Sequence, residues 1–247
     1  MNFPDSPPPG IALFDMDGTM LAWDCQLLFR HHVLRAEPFR LFSVPVFLAF
    51  LPLAGLLGTE NMKRVFHCFL WKMTPARLQE LSREFAEKLQ PAIYPELKAL
   101  LAKHRAAGHL TILSSASPEC YVAEVGRLLG FDLSLGTVLE NNRFFPDLIN
   151  HKGGNKAIRL RELLPPSYFK NGVLVHSHGY TDSTADLPML AVCDTATVVN
   201  PKPALAILAE KNNWPILRPA RPWKSPFEKS WRILLLLFAL GKNPAKL

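Results

Sequence analysis

The sequence predicts an α/β protein: a doubly wound, mostly parallel, Rossmann-like sheet carrying an inserted α-helical cap. Three observations predict it. Short apolar runs ending in polar residues or glycine recur along the 247-residue chain and alternate with stretches of helical periodicity. The first of them, IALFD at 11–15, runs directly into an acid-rich turn. Between it and the next run lie about 75 residues, Leu21 to Pro95, with helical spacing and no strand pattern, which is too long for an ordinary crossover.

IALFD reads as a buried strand that delivers a loop at its carboxyl end. LTILSS (110–115) repeats the form after the helical PELKALLAKHRAAG, and GVLVHS (172–177) repeats it after KAIRLRELL. TATVVN (195–200) follows DLPMLAVC and precedes the helical PKPALAILAEKNN. Inside the long interval, RLQELSREFAEKL places Leu78, Leu81, Phe85 and Leu89 on one helix face. The resulting division is a catalytic core of 1–20 and 93–217, a cap of 21–92 and a tail of 218–247.

Composition is globular, at 49% hydrophobic and 20% charged residues, and the 22 prolines are scattered among apolar runs, which excludes a disordered tract. Cys25, Cys68, Cys120 and Cys193 lack metal-ligand spacing, and MNFPDSPPPG lacks the basic and apolar regions of a signal peptide, so a reducing, cytosol-facing location is expected. The net charge of +7 favours anionic partners. From Arg218 to Lys246 the tail holds seven basic residues and the single acid Glu228, interleaved with Trp223, Phe227, Trp231 and the run ILLLLFAL. No basic-aromatic platform or reading helix accompanies this charge, so nucleic acid is not the expected partner.

The chemistry collects at the strand ends. FDMDGT (14–19) sets Asp15 and Asp17 two residues apart, projecting towards the same side, with Gly18 permitting a sharp turn behind them. Two such carboxylates call for a cation between them or a shared proton, and Mg²⁺ suits oxygen ligands of this kind. YTDSTADLPML (180–190) supplies a second acidic pair, Asp182 and Asp186, one helical turn apart. SSASPE (114–119) brings small hydroxyl residues to a helix start, where an anion can be cradled. Lys156 opens another helix and can neutralise phosphate oxygens, with Lys152 a rival for that role. In a doubly wound sheet ligands gather outside the carboxyl strand ends, so the four aspartates are expected to converge on one site for phosphoryl transfer.

This order of motifs resembles the haloacid dehalogenase superfamily of phosphatases over about Ile11 to Pro219. A helical insertion after the first motif is similar to subfamily IB, which includes phosphoserine phosphatase. GHLTILSSASPECYV, GYTDSTADLPML and the apolar stretch at 41–58 resemble the phosphatidylglycerophosphatase C group most. The resemblance implies Asp15 as nucleophile and metal ligand. It makes Asp17 the general acid and then base, which also offers its backbone carbonyl to Mg²⁺, and gives Asp182 and Asp186 as metal-holding acids. Phosphate binding falls to Ser115, Ala116, Thr19 and Lys156, with Ser114 as the fallback serine, and Asp24 takes the place of a substrate-binding glutamate. Thr181 stands where the family carries glycine and Ala185 where phosphoserine phosphatases carry asparagine, which argues against phosphoserine as substrate.

Residues 41–58, LFSVPVFLAFLPLAGLLG, carry no charge. A single membrane crossing there would put Asp15 on one side and Ser115, Lys156 and Asp182 on the other. Two readings remain: an in-plane or re-entrant element, or the apolar core of the cap. Together with the tail, the stretch leads to the expectation of a phosphatase at the cytoplasmic face of a membrane, with an anionic lipid surface as partner and a lipid phosphate such as phosphatidylglycerophosphate as substrate. The alternatives are a cytoplasmic soluble phosphatase of a small phosphomonoester, with the tail docked as a terminal helix, and a non-catalytic membrane scaffold, which would have gaps in the acid set. His31, His32, His67, His104 and His109 lack metal-ligand spacing, whereas His176 and His178 lie close enough in sequence to the Asp182 loop to touch substrate, although lining the strand end is the more common fate of such residues.

Overall fold

A computed structural model describes residues 3–140 and 143–241. Strand β1 (Ile11–Phe14) is followed by helices α1 (Cys25–Ala36), α2 (Ser43–Phe50), α3 (Ala54–Phe66) and α4 (Pro75–Leu89). Then come α5 (Pro95–Ala106), β2 (Leu110–Pro118), α6 (Glu119–Leu129), β3 (Leu133–Glu140) and β4 (Asp147–Ile149). The chain continues through α7 (Gly154–Leu163), β5 (Phe169–Lys170), β6 (Val173–Leu174), β7 (Ser177–Thr181) and α8 (Leu187–Leu190). It ends with β8 (Thr195–Val199), α9 (Pro203–Lys211), β9 (Ile216–Leu217) and α10 (Pro226–Leu237).

The main sheet has the order β4-β3-β2-β1-β7-β8-β9, parallel except for β4, which runs antiparallel to β3. β1 lies at its centre, with Phe14 level with Leu113 of β2 and Tyr180 of β7. That register sets the function: the residues that follow, Asp15, Ser114 and Thr181, emerge side by side at one edge. Along β1 the side chains alternate between two covered faces, as the pleat requires. Ile11 and Leu13 pack with Ala157, Leu160, Met189 and Leu190. On the opposite face, Ala12 and Phe14 share a cluster with Leu97, Leu101, Tyr121 and Val125. All four β1 residues are fully buried, which explains why a short run without polar alternation forms a strand here.

The helices between β1 and β2 build onto this second face. α4 starts at the N-cap Thr74, whose hydroxyl accepts the Arg77 amide, and buries Leu81, Phe85, Ala86 and Leu89. α1 starts at Asp24, whose carboxylate accepts the amides of Gln26 and Leu27, a helix cap of ordinary kind. Phe29 of α1 joins cap to core, with its ring 5.2 Å from Phe85 of α4 and 4.7 Å from Tyr121 of α6. A further close approach fixes the end of β2. An added Cβ at Gly136 would stand 2.6 Å from Glu119 Cα and 2.8 Å from Ser117 O, so only glycine lets β3 pass there.

The sheet corrects one element of the sequence reading. GVLVHS is not the strand that precedes Asp182; its Val173–Leu174 forms a small antiparallel pair with Phe169–Lys170. The sheet strand is the next segment, SHGYT. Hydrophobicity does not mark it because its polar side chains find partners within the fold: Ser177 with Asp194 and Leu174, and His178 with Thr197. β3, β4 and β9 also lie outside the predicted runs.

The uncharged stretch 41–58 is not the core of the cap, since only Ser43 and Val44 in it are buried. A 3-10 turn, α2, a second 3-10 turn and the start of α3 follow one another, and Gly58 at φ 73° breaks α3. Leu56 is 86% exposed, and Leu48, Leu51 and Leu53 also face outwards. Among the described residues Pro38–Leu70 is the one stretch that by length and composition alone would cross a membrane. In the tail, α10 docks on α1: Trp223 lies edge-on to Trp23 at 5.0 Å, Leu236 is buried, and Arg30 of α1 donates to the Leu237 carbonyl. Phe227 and Trp231 on the same helix remain exposed.

Because Phe29 joins α1, α4 and α6, Phe29→Ala is expected to lower unfolding stability by about 3–5 kcal/mol. Chemical denaturation should show this as a lower midpoint at unchanged slope, and an unaltered midpoint would mean that the cap does not rest on α6.

Candidate active site

Asp15 follows β1 directly, its amide held by the Tyr180 carbonyl at 3.0 Å. Its carboxylate is buried and has two partners. Lys156 of α7 reaches Oδ1 at 2.6 Å, and the Thr19 hydroxyl donates to Oδ2 at 3.0 Å. The same Lys156 ammonium lies 2.8 Å from Asp186 Oδ1, while Thr181 donates to Asp186 Oδ2 at 2.8 Å. A turn brings Asp17 alongside. Gly18 takes φ 85°, and any Cβ there would collide with the Asp182 carboxylate, so glycine is required on both counts.

Asp17 is held differently. Its Oδ1 accepts the Cys25 amide at 2.6 Å, and its Oδ2 accepts the hydroxyls of Ser115 at 3.0 Å and Ser117 at 2.7 Å. Two serines at period two along an extended segment point the same way, which is why both reach one oxygen. The residues between and before them face elsewhere: Ser114 bonds His151 Nε2 at 2.9 Å, and Ala116 lines the pocket.

The pocket holds about 660 Å³ and is lined by Asp15, Asp17, Asp182 and Asp186 together with Lys156 at its floor. Its walls carry Asp24, Gln26, Lys63, Asn150, Lys152 and Lys202, with Leu27, Met62 and Phe66 as apolar members. All four predicted aspartates therefore meet, as do Ala116, Lys156 and Asp24. Of the two candidate lysines, Lys156 contacts Asp15 and Lys152 stands on the wall. Thr19 and Ser115 are fully buried and outside the lining, with their hydroxyls committed to Asp15 and Asp17. His176 and His178 do not reach this pocket and take the more common fate of lining a strand end. They line a separate cavity with His104 and His109, at the start of β7 and β8, whereas the aspartates sit at the opposite strand ends.

Charge in the pocket is unbalanced. Burial first, and then Asp186, Asp182 and Asp17, push the Asp15 carboxyl well above its usual range, against the pull of Lys156. Burial followed by Asp186 and Asp17 brings Asp182 up to about 6, and burial followed by Asp17 brings Asp24 to about 6. Burial opposes the charge on Lys156, but Asp15 and Asp186 outweigh it and raise its pKa. At the floor only the Lys156 ammonium contacts Asp15 and Asp186, while Lys63, Lys152 and Lys202 stand on the walls, and the grouped carboxylates are a donor set that a hard divalent cation fits. Asp15, Asp182, Asp186 and the Asp17 backbone carbonyl are the groups that would hold it; the Asp17 carboxylate is turned to its serines. Among the described residues no three acidic, His or Cys side chains are gathered closely enough to hold a metal ion, so these groups would have to draw together on it, with oxygens of water and substrate completing its shell.

Sequence reasoning passed over several members of this site. Ser117 carried a legible signal, being two positions from Ser115. Lys63, Asn150 and His151 carried none, because their relevance depends on the cap and the loop before α7 meeting the end of β2. Thr181 gains a role where the sequence showed only a missing glycine, since its hydroxyl both holds Asp186 and receives the Ser183 amide at 3.1 Å.

Residues 12–191 match the model of the haloacid dehalogenase-like hydrolases, well over half the chain. The chain belongs to that family. A phosphoserine phosphatase of Mycobacterium tuberculosis is 28% identical over 221 residues, covering 83% of this chain and 69% of that protein. A histidinol-phosphatase of Neisseria meningitidis is 27% identical over 223 residues, covering 84% and 97%. Among solved structures, a Bordetella pertussis protein of unknown function superposes with a TM-score of 0.72 at 22% identity, over 86% of this chain and 98% of that one. Family, fold and phosphatase relatives together make the chain a phosphoric monoester hydrolase.

Without metal, ionising Asp182 opposes folding: its carboxyl moves from an ordinary 3.8 to about 6, so stability falls as pH rises from about 4 to about 6 and stays lower above. Asp182→Asn in chelator-treated protein should therefore stabilise by about 1–2 kcal/mol at pH 7.5, with the gain vanishing near pH 3.5. Adding Mg²⁺ should raise the melting temperature of the wild type and not of the variant. A Mg²⁺ response retained by Asp182→Asn would remove Asp182 from the metal set.

Proposed function

We propose that the chain is a Mg²⁺-dependent phosphatase of a small phosphomonoester, working through an aspartyl phosphate. The observation that carries this reading is the pairing of Asp15, held between Lys156 and Thr19, with Asp17, held by two serines, at the floor of one pocket. An Asp15 oxygen attacks phosphorus while the ester oxygen leaves and takes a proton from the Asp17 carboxyl. Asp17, now a carboxylate, removes a proton from water, whose oxygen attacks the phosphorus of the aspartyl phosphate. Inorganic phosphate is released and Asp15 is regenerated. Lys156 holds Asp15 in line and offsets phosphate charge, and a bound Mg²⁺ would supply further neutralisation of the transferring group.

A pocket of about 660 Å³ with polar walls suits a metabolite-sized ester. The relatives named for histidinol phosphate and phosphoserine act on esters of that size. Asp24 lines the pocket, with one carboxylate oxygen capping α1, and it would favour a substrate with a cationic or hydrogen-bonding group there. A second reading has one observation in its favour. α3 lends Met62 and Phe66 to the pocket, and Leu56, before the break at Gly58, is exposed, so a lipid phosphate at a membrane surface would meet apolar surface on the cap. That reading keeps the resemblance to the phosphatidylglycerophosphatase C group and a cytoplasmic membrane face.

Phosphate release from an aryl phosphate should require Mg²⁺, stop on chelation, and fall by at least about 10³-fold in Asp15→Asn. Turnover that survives Asp15→Asn would remove the proposed nucleophile. Histidinol phosphate, phosphoserine and phosphatidylglycerophosphate, each assayed with and without anionic vesicles, separate the two substrate readings. Faster turnover of the soluble esters, indifferent to vesicles, supports the first, and a lipid ester preferred only with vesicles supports the second.

A further inference from the structure

Lys63 belongs to the cap and has no role in the chemistry described so far. It sits in the last turn of α3, lines the pocket, and extends its ammonium across to the core. There it donates to three oxygens: the Ala116 carbonyl at 2.5 Å, the Thr137 hydroxyl at 2.8 Å and the Asn150 side-chain oxygen at 3.0 Å. None of the three is a carboxylate. Among the described residues no carboxylate lies within ion-pair distance of it, although Asp17 and Asp24 attract its charge from further off. A half-buried ammonium that spends its donors on neutral oxygens is a costly arrangement for a residue that merely covers surface.

The three acceptors lie on the segments that shape the catalytic floor. Ala116 stands between Ser115 and Ser117, the two serines whose hydroxyls hold Asp17 Oδ2. The β2–β3 register shifts between Ser114 and Pro118, so this segment lacks a regular ladder of its own. Its Ala116 carbonyl is fixed instead by Lys63 and by the Thr137 hydroxyl, which donates to it at 2.8 Å. Thr137 also receives the His151 amide at 3.1 Å, and His151 bonds Ser114. Asn150 and His151 precede α7, which carries Lys156. The neighbouring Arg64 adds a second strap, donating to the Pro146 carbonyl and pairing with Asp147.

We propose that Lys63 is a positioning residue through which the cap sets the catalytic floor. Its ammonium ties α3 to the Ala116 carbonyl and the Asn150 side chain, so that Ser115 and Ser117 present Asp17 for proton transfer only when the cap is in place. This rests on the phosphatase reading above. It separates Lys63 from a residue that binds the leaving group, because a positioning residue matters even when the leaving group is neutral.

The test uses the full chain with Mg²⁺ and β-glycerophosphate, read by phosphate release, because its leaving alcohol is uncharged and must take a proton as it departs. Lys63→Met should lower kcat on the order of 10- to 100-fold, with KM changed by less than about threefold, and Lys63→Arg should recover most of the loss. Thr137→Val, which removes the other donor to the same carbonyl and one of the acceptors of Lys63, should also lower kcat and leave KM nearly constant. It serves as the test by itself if Lys63→Met fails to fold. Combined, the two substitutions should cost less than the product of their separate effects, since both act on one carbonyl. Unchanged kcat in Lys63→Met or in Thr137→Val, a loss confined to KM, or independent effects in the double variant would overturn the proposal. A wild-type chain without turnover on any ester would instead overturn the phosphatase reading beneath it.

Discussion

Lys156 places a buried ammonium between two buried carboxylates, Asp15 and Asp186, at 2.6 and 2.8 Å, and the rest of the catalytic end is arranged around that contact. Removing Lys156 would leave two carboxylates without a counter-charge out of water, which costs several kcal/mol. The three groups arrive from β1, from α7 and from the turn after β7, so the contact can form only if β1 lies between β2 and β7 in the observed register. The sheet order is thus tied to the charge arrangement. Lys156 alone does not balance the carboxylates grouped around it, and burial together with their mutual repulsion lifts Asp15 and Asp182, a set of oxygens that a hard cation would suit.

The two catalytic acids are treated differently by their surroundings. Asp15 meets a lysine and a threonine, the surroundings of the proposed nucleophile. Asp17 meets two serine hydroxyls and a backbone amide and is kept apart from the lysine, and these contacts fix its orientation for the proposed proton transfer. Carboxylates two residues apart acquire separate tasks because one faces α7 while the other faces the end of β2.

The cap is joined to this floor at two depths. Phe29 and Phe85 pack on Tyr121 of α6 in one apolar cluster continuous with Phe14 of β1, and Lys63 and Arg64 add polar straps at the rim. α10 closes over α1 from the outside. What the cap leaves uncovered is the outer face of 41–58. Its proline-broken helices contribute Ser43 and Val44 to the interior and expose most of their leucines.

Much of this was legible in the sequence alone. Alternating apolar runs and helical spacings determined an α/β sheet with a helical insertion, and the turn FDMDGT and the loop YTDSTAD determined where the acids would lie. Both signals are local, because periodicity and turn chemistry act over a few residues. The tertiary structure decided the matters that depend on distance. It selected Lys156 over Lys152, set Ser115 and Ser117 on Asp17 while turning Ser114 to His151, gave Thr181 to Asp186, and made SHGYT a central strand despite its polarity. It also brought Lys63 of the cap to Ala116 and kept 41–58 out of the core. Asp15 and Lys156 are 141 positions apart, and Asp17 and Ser117 are 100. Contacts of that separation exist only once the sheet has paired and the cap has packed, and no short-range pattern encodes them.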